Sequence, residues 1–513
     1  VTRITLRRLA SAALALTLLA PACRVAPLSS VEQTLRGHVG FLASDAMAGR
    51  DTARPEGRIT AEYVAAQLEA LGLEPGAGDS FLQEYPLLAA RVVRDETSAS
   101  VDLGVETLTW TLGEDWVVVN LRGRRASLDA GIVLAGHGIV ADWAGVDEYE
   151  GLDVEGRVAL VFEGAPEGRD DLGPAASWRA KRDAARAAGA AALARIVDRE
   201  DEGHERAWTW AGRASRRTSY ALPVEEGEAP FPILLVTRAA ADPLLDGDAA
   251  AARRAWRVGE TRGRALDARL RLDVPVETET LAAFNTVAVL RGGDPALDDE
   301  YVLLSAHMDH VGVRDDGRVH NGADDNASGT ATLLAVAGRL ARRPPPRRSV
   351  LFLAVSGEEK GLLGSRWWVR RPTVPIDAVV ANVNMDMVGR NAPDEIGATP
   401  SPRHPMYNTL VEDARDLAPE AGLTLSWSAG EGRYEQPVDE LYHRSDHANF
   451  AEAGIPVVFF FSGLHEDYHQ PTDTVEKLDF GKIARVTDLI ARLTGRVADA
   501  VVPPRVLGVQ AEG

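Results

Sequence analysis

Apolar and polar residues follow one another along this chain in three successive styles. In the first, Val31 to Leu42 and Arg58 to Leu71 place apolar residues at helical spacing, and Gly72 ends the second run. In the second, from about Val92 to Val276, short β-rich pieces are separated by Gly, Asp and Pro; Leu108-Thr109-Trp110-Thr111, Val117-Val118-Val119 and Val158-Ala159-Leu160-Val161 are examples. One Ala/Arg-rich helix, Ala176 to Ala194, is expected to interrupt them. The third style begins near Phe284. Here continuous apolar runs alternate with helices: Val302 to Ala306 then Thr330 to Leu340, Val350 to Val355 then Leu362 to Val369, and finally Ala378 to Val383 and Val457 to Phe461. Continuous, largely apolar runs belong to strands buried on both faces, which predicts an α/β fold around a mostly parallel central sheet. The 92–276 stretch holds no cluster of metal-ligand residue types and reads as an inserted β-rich module. Residues 30–91 and 277–502 then form the two parts of one larger domain.

At 513 residues the chain has room for two domains, or for one large domain with an insertion. A formal net charge of −20 excludes a nucleic-acid-binding surface, which needs clustered Lys and Arg. The N-terminus changes the picture more. Arg3, Arg7 and Arg8 precede an apolar run from Leu9 to Ala20, which meets Ala20-Pro21-Ala22-Cys23. A basic start, a short apolar core and small residues at a cleavage site predict an export signal over residues 1–23. The run is shorter than the ~20 residues that span a bilayer. Cys23 is the single cysteine, so an intramolecular disulfide is excluded. Its position resembles a bacterial lipoprotein acylation site, with Ala20 where that motif usually has Leu. The expected address is exported: lipid-anchored through Cys23, or periplasmic or secreted after cleavage at Ala22.

In a parallel sheet, ligands bind beyond the carboxyl ends of the strands, and the chemistry-bearing residues of this sequence fall there. Val302 to Ala306 runs into His307-Met308-Asp309, Val350 to Val355 into Ser356-Gly357-Glu358-Glu359, and Ala378 to Val383 into Asn384-Met385-Asp386. Gly322-Ala323-Asp324-Asp325-Asn326 precedes a helix, and Tyr468-His469 follows the last strand. Each has an ordinary explanation alone. An Asp before a helix is usually a cap, which remains the reading of Asp324, and a Glu pair after a strand is usually solvated. Taken jointly, His307, Asp325, Glu359, Asp386 and His469 bring two imidazoles and three carboxylates to one sheet edge. Nitrogen and oxygen donors without thiolate suit Zn2+, with Mn2+ or Co2+ as alternatives. Two neighbouring ions need a shared carboxylate, and Asp325 is the natural bridge. Asp309, two residues after His307, lies on the same side of an extended segment and can accept the second ring N–H of His307. Of the adjacent Glu358 and Glu359, one can bind metal while the other moves a proton.

The runs His307-Met308-Asp309-His310, Gly322-Ala323-Asp324-Asp325-Asn326-Ala327-Ser328-Gly329, Ser356-Gly357-Glu358-Glu359, Asn384-Met385-Asp386-Met387-Val388-Gly389 and Tyr468-His469-Gln470-Pro471-Thr472-Asp473-Thr474 resemble the M28 family of zinc aminopeptidases. Phe41-Leu42-Ala43-Ser44-Asp45 and Leu71-Gly72-Leu73-Glu74-Pro75 are similar to the lead-in of its bacterial members, and the middle stretch resembles, more loosely, a protease-associated (PA) domain. The resemblance implies a three-layer α/β/α zinc-peptidase domain that removes N-terminal residues from a peptide substrate. It implies one Zn2+ on His307, Asp325 and Asp386 and a second on Asp325, Glu359 and His469, with Glu358 as general base toward a metal-activated water. It further implies support of His307 by Asp309, a cis peptide at Asp325–Asn326, and an oxyanion-stabilising Tyr468. Ser445-Asp446-His447 is similar to a family segment that borders the site; a loop capping the helix at Ala448 is the competing reading. An M20-type or glutamate-carboxypeptidase-like exopeptidase and a non-catalytic, receptor-like binding protein stay open as rivals. A glutaminyl cyclase fits less well, because it lacks an equivalent of His307.

Overall fold

The computed structural model describes residues 29–510, except 120, 122, 224–230 and 315; the expected export signal and Cys23 lie outside the described residues. The first helix, Ser30–Leu42, opens with a capping box in which Ser29 and Glu32 each accept the other's backbone N–H. Pro55 opens the second, Pro55–Ala70, at a position where its missing N–H has no partner to lose. The buried stripes of these helices (Leu35, Val39 and Leu42; Ala61, Val64 and Leu68) join one core with helix Gly329–Leu340 and the C-terminal helix Phe480–Asp499.

Two main sheets follow. In space the first runs 219–221, 82–92, 276–290, 349–355, 301–307, 379–385, 457–461, 395–399, 424–426. Its central strands Ser349–Val355, Tyr301–His307, Val379–Met385 and Val457–Phe461 are parallel, with antiparallel neighbours on either side, so the sheet is mixed. Side chains of the central strands alternate between two cores. Val302, Leu304 and Ala306 pack with the helices named above, whereas Leu303, Leu351, Leu353 and Val355 pack with Trp368 and Phe450 on the opposite face. Helices Leu363–Arg370 and His447–Glu452 carry those two aromatics, which completes an α/β/α sandwich.

The second sheet draws only on residues 98–274, in the order 107–110, 98–102, 264–274, 126–134, 158–162, 192–197, 233–237, 116–119. Strands Ala126–Leu134, Val158–Phe162, Ala192–Val197 and Ile233–Thr237 are also parallel neighbours. The run expected as one helix from Ala176 to Ala194 is helical only over Trp178–Ala187. Gly189, at φ +83°, turns the chain, and Ala192–Val197 is a buried central strand. Alanine-rich sequence does not mark that change; burial between two neighbouring strands decides it. Helix Glu202–Ala214 follows where no helix was expected. Ser219–Ala221 then leaves the second sheet and pairs with Leu82–Val92 at the edge of the first. Val92 and Val276 are cross-strand partners, so the chain departs from the first sheet and re-enters it at one rung. Among the described residues no helix is long and apolar enough to cross a membrane.

Candidate metal centre

The carboxyl ends of the central strands deliver their polar residues to one place. His307 Nε2 lies 3.4 Å from Asp325 Oδ1 and 3.1 Å from Asp386 Oδ1. On the far side of the same carboxylate, His469 Nε2 lies 3.1 Å from Asp325 Oδ2 and 3.1 Å from Glu359 Oε2. Two donor groups result: His307, Asp325 and Asp386, and His310, Asp325, Glu359 and His469. All five expected ligand residues are among them. Asp325 stands in a non-helical turn just before helix Gly329–Leu340, and its peptide bond to Asn326 is cis. Asn326 pins that turn: its Nδ2 donates to Met385 O, and its Oδ1 accepts from the N–H groups of Gly329 and Met387.

Glu358 belongs to neither group. Together with Asp325, Asp386, Met387, Tyr468 and His469 it lines a small cavity of about 30 Å³. The Tyr468 ring stacks on His469 at a centroid distance of 3.9 Å.

Three neighbours act differently from what their spacing suggests. His307 Nδ1 donates to the backbone carbonyl of Asp309 at 3.2 Å, while the Asp309 carboxylate stays 3.8 Å away. A carbonyl can only accept, so Nδ1 carries a proton, and Nε2 is the ring atom that faces Asp325 and Asp386. The strand ends at His307, and the turn that follows points the Asp309 carboxylate at Thr52 Oγ1 (2.7 Å) and Glu358 N (3.3 Å) instead. Asp324 is not a cap: its Oδ1 accepts the Gly389 N–H at 2.7 Å, its Oδ2 lies 3.3 Å from His465 Nε2, and helix Gly329–Leu340 has no side-chain cap. Asp446 also leaves its helix uncapped and accepts from Ser365 Oγ at 2.5 Å. The hydroxyl of Ser445 accepts from Asn384 Nδ2 at 3.0 Å and donates to Asp386, so this segment borders the site and fixes that carboxylate.

Three further groups escaped the sequence reading. Arg50 is fully buried and donates to the carbonyls of Leu42, Met308, Asn321 and Gly322 at 2.6–3.0 Å, clamping the first helix to both ligand-bearing loops. Burial lowers it to about 10, with Asp325 and Asp309 opposing, so it stays charged at neutral pH. Asp473 accepts the N–H groups of Asp324 and Asp325, which ties the loop of His469 to the turn of Asp325. His310 brings its Nδ1 to 2.9 Å from Glu359 Oε1 and 3.7 Å from Asp325 Oδ2.

The electrostatics describe a cluster short of positive charge. Burial pushes Glu358 well above the usual carboxylate range, helped by Glu359, Asp386 and Asp446 and opposed by His307. Burial likewise raises Asp386, and it raises Asp446 to about 7. The imidazoles respond in the other direction. Burial opposes charge on His307, but Asp386 and Glu358 outweigh it and hold the ring well above its ordinary value; burial also opposes charge on His469, yet Asp325 and Glu359 raise it to about 10. A divalent cation among these groups would offset the same repulsion between carboxylates. The donor set fits such ions on a second count: the buried atoms His310 Nδ1, Asp325 Oδ2 and Glu359 Oε1 have no hydrogen-bond partner although they converge.

Fold and site thus define an α/β domain with a two-part metal-donor edge. Residues 285–494 match the family model of Peptidase family M28, and the chain resembles that family across this part. Aminopeptidase YwaD of Bacillus subtilis is 30% identical over 210 residues, 39% of this chain and 41% of that protein. The probable lipoprotein aminopeptidase LpqL of Mycobacterium tuberculosis is 28% identical over 368 residues, 65% of this chain and 60% of that protein. A solved aminopeptidase from Aneurinibacillus sp. strain AM-1 shares the fold with a TM-score of 0.52 at 19% identity, covering 94% of this chain and 96% of its own. The chain spans less than two thirds of the length of these two curated relatives.

Proposed function

We propose that the chain is an exported zinc-dependent exopeptidase, an aminopeptidase that removes N-terminal residues from peptides, with two Zn2+ ions per chain. His307, Asp325 and Asp386 would hold one ion, and Asp325, Glu359 and His469 the other. The observation that carries this reading is the divided carboxylate of Asp325, one oxygen toward His307 and the other toward His469, with Glu358 beside both groups and in neither. Such ions polarise a carbonyl and make water acidic enough to yield a nucleophile near neutral pH.

Glu358 lines the cavity between the two groups and takes the proton from the attacking water. As the C–N bond breaks, it returns that proton to the leaving amine. The Tyr468 hydroxyl donates to the oxygen that gains charge in the tetrahedral state. Asp309 holds the Glu358 backbone N–H and Thr52, so it positions the base more than it positions His307. The 92–276 stretch is read as a PA-like module inserted between 30–91 and 277–502. The name of LpqL, a probable lipoprotein aminopeptidase, supports the activity and, with Cys23, a lipid anchor.

The test is metal analysis of the full chain, followed by turnover of aminoacyl and C-terminally varied peptides with and without chelator. Two zinc equivalents and chelator-sensitive release of N-terminal residues are expected. Release from the C-terminus would make the enzyme a carboxypeptidase, and bound zinc without turnover of any peptide would make it a binding protein.

A further inference from the structure

We propose that His310 is a fourth protein donor, so that the two halves of the centre differ in donor number: four at His310, Asp325, Glu359 and His469, and three at His307, Asp325 and Asp386. The proposal rests on the two-ion reading above and adds a residue outside the expected ligand set.

The first support is an anomaly of hydrogen bonding. His310 is fully buried, and neither ring nitrogen has a hydrogen-bond partner. A buried imidazole held for structure alone would have one. Its Nδ1 lies 2.9 Å from Glu359 Oε1, an ion-pair distance, and that oxygen has no hydrogen-bond partner either. Buried nitrogen and oxygen atoms that converge in this way are the arrangement of donors around a shared cation.

Distances give the second support. Zinc–donor bonds of about 2.0–2.1 Å at tetrahedral angles place neighbouring donors about 3.3 Å apart. Around this group four separations are 2.9 Å (His310 Nδ1 to Glu359 Oε1), 3.7 Å (His310 Nδ1 to Asp325 Oδ2), 3.1 Å (His469 Nε2 to Asp325 Oδ2) and 3.1 Å (His469 Nε2 to Glu359 Oε2). They bracket the tetrahedral edge. Gly322 keeps the ring there: it sits at φ +58°, and a Cβ on it would come within 2.5 Å of His310 Cγ and Cδ2.

The experiment starts from full-length protein stripped with chelator and given one equivalent of Zn2+. X-ray absorption should count two imidazoles on the bound ion, those of His310 and His469; a count of one overturns the proposal. His310→Ala and His310→Gln, each titrated with zinc against a chromophoric chelator, should both weaken the tighter binding constant by tenfold or more. If His310→Gln keeps wild-type affinity, the side chain acts by hydrogen bonding to Glu359 and the proposal fails. Should His310→Ala not fold, the one-equivalent measurement on the unaltered chain still decides. A chain that binds no zinc at all would sink the two-ion reading itself, a distinct outcome from unequal sites losing their fourth donor.

Discussion

Two sheet edges in this molecule are built alike and finished differently. Each sheet has four parallel strands in a row, and each sends charged residues beyond their carboxyl ends. At the first edge some buried atoms are left over: Asp325 Oδ2, Glu359 Oε1 and His310 Nδ1. At the second, burial is matched by partners. Lys181 Nζ donates to the carbonyls of Phe162 and Gly164, Glu148 accepts from His137 N, Ile139 N and Trp256 Nε1, and Arg195 pairs with Glu163. The second edge even has the larger cavity, about 830 Å³ against about 30 Å³, but its charged lining mixes Arg253 and Arg254 with Glu167 and Glu260. Cavity size therefore says less about chemistry than the presence of buried groups that still need a partner.

Removing the carboxylate shared by both halves of the first edge is the strongest test of that contrast. Asp325→Asn should take zinc content from two equivalents toward none and abolish turnover; retention of both ions would mean that Asp325 is not the bridge. Glu358→Gln should lower kcat by roughly 10²–10⁴-fold while both ions stay bound. Near-wild-type turnover would remove Glu358 from the role of base. Arg50→Met attacks the same edge from behind. It removes the Arg50 donor from four carbonyls, of which only Gly322 O keeps another partner, the Ala327 N–H; at roughly 1–3 kcal/mol for each buried carbonyl left unpaired, denaturant unfolding should register a loss of a few kcal/mol together with weaker zinc binding. A loss of stability with zinc affinity intact would confine Arg50 to the scaffold.

At the second edge the pattern should invert. Lys181→Met should cost about 1–3 kcal/mol of stability and leave zinc content and turnover per folded molecule unchanged; altered zinc content would erase the contrast. The smallest expected effect is one of pH. Burial first, then Lys181, pushes His137 down to about 4, against about 6.5 in an unfolded chain. Between those values the unfolded state binds the extra proton and the folded state does not, so stability falls as pH drops from 6.5 toward 4 and levels off below. His137→Gln should flatten that part of the stability–pH curve relative to the parent, as measured by denaturant midpoints. An unchanged slope would show that His137 is not the group responsible.

The convergence of His307, Asp325, Glu359, Asp386 and His469 was readable because three of them lie at the ends of largely apolar strands, and a parallel sheet lines up the ends of such strands. Their roles are what the substitutions above examine. His310 was not readable by the same logic. Period-two alternation sends it away from His307, and only the turn after the strand brings it back. Arg50 left no mark at all, because its four acceptors are backbone carbonyls, which any residue supplies. The strand Ala192–Val197 was hidden for a related reason: its alanines are equally at home in a helix, and the neighbours that make it a strand are distant in sequence.

The rung shared by Val92 and Val276 has a mechanical consequence. Regions joined by a flexible linker tumble independently, but here the connection is a long antiparallel pair, 82–92 against 276–290, broadened by Ser219–Ala221 into three hydrogen-bonded strands. Such a junction is a continuation of the first sheet and not a linker. Strand Val276–Leu290 also pairs with Ser349–Val355, whose end carries Glu358 and Glu359. The chain returning from the second sheet therefore enters the first one ladder away from the loop of Glu358 and Glu359.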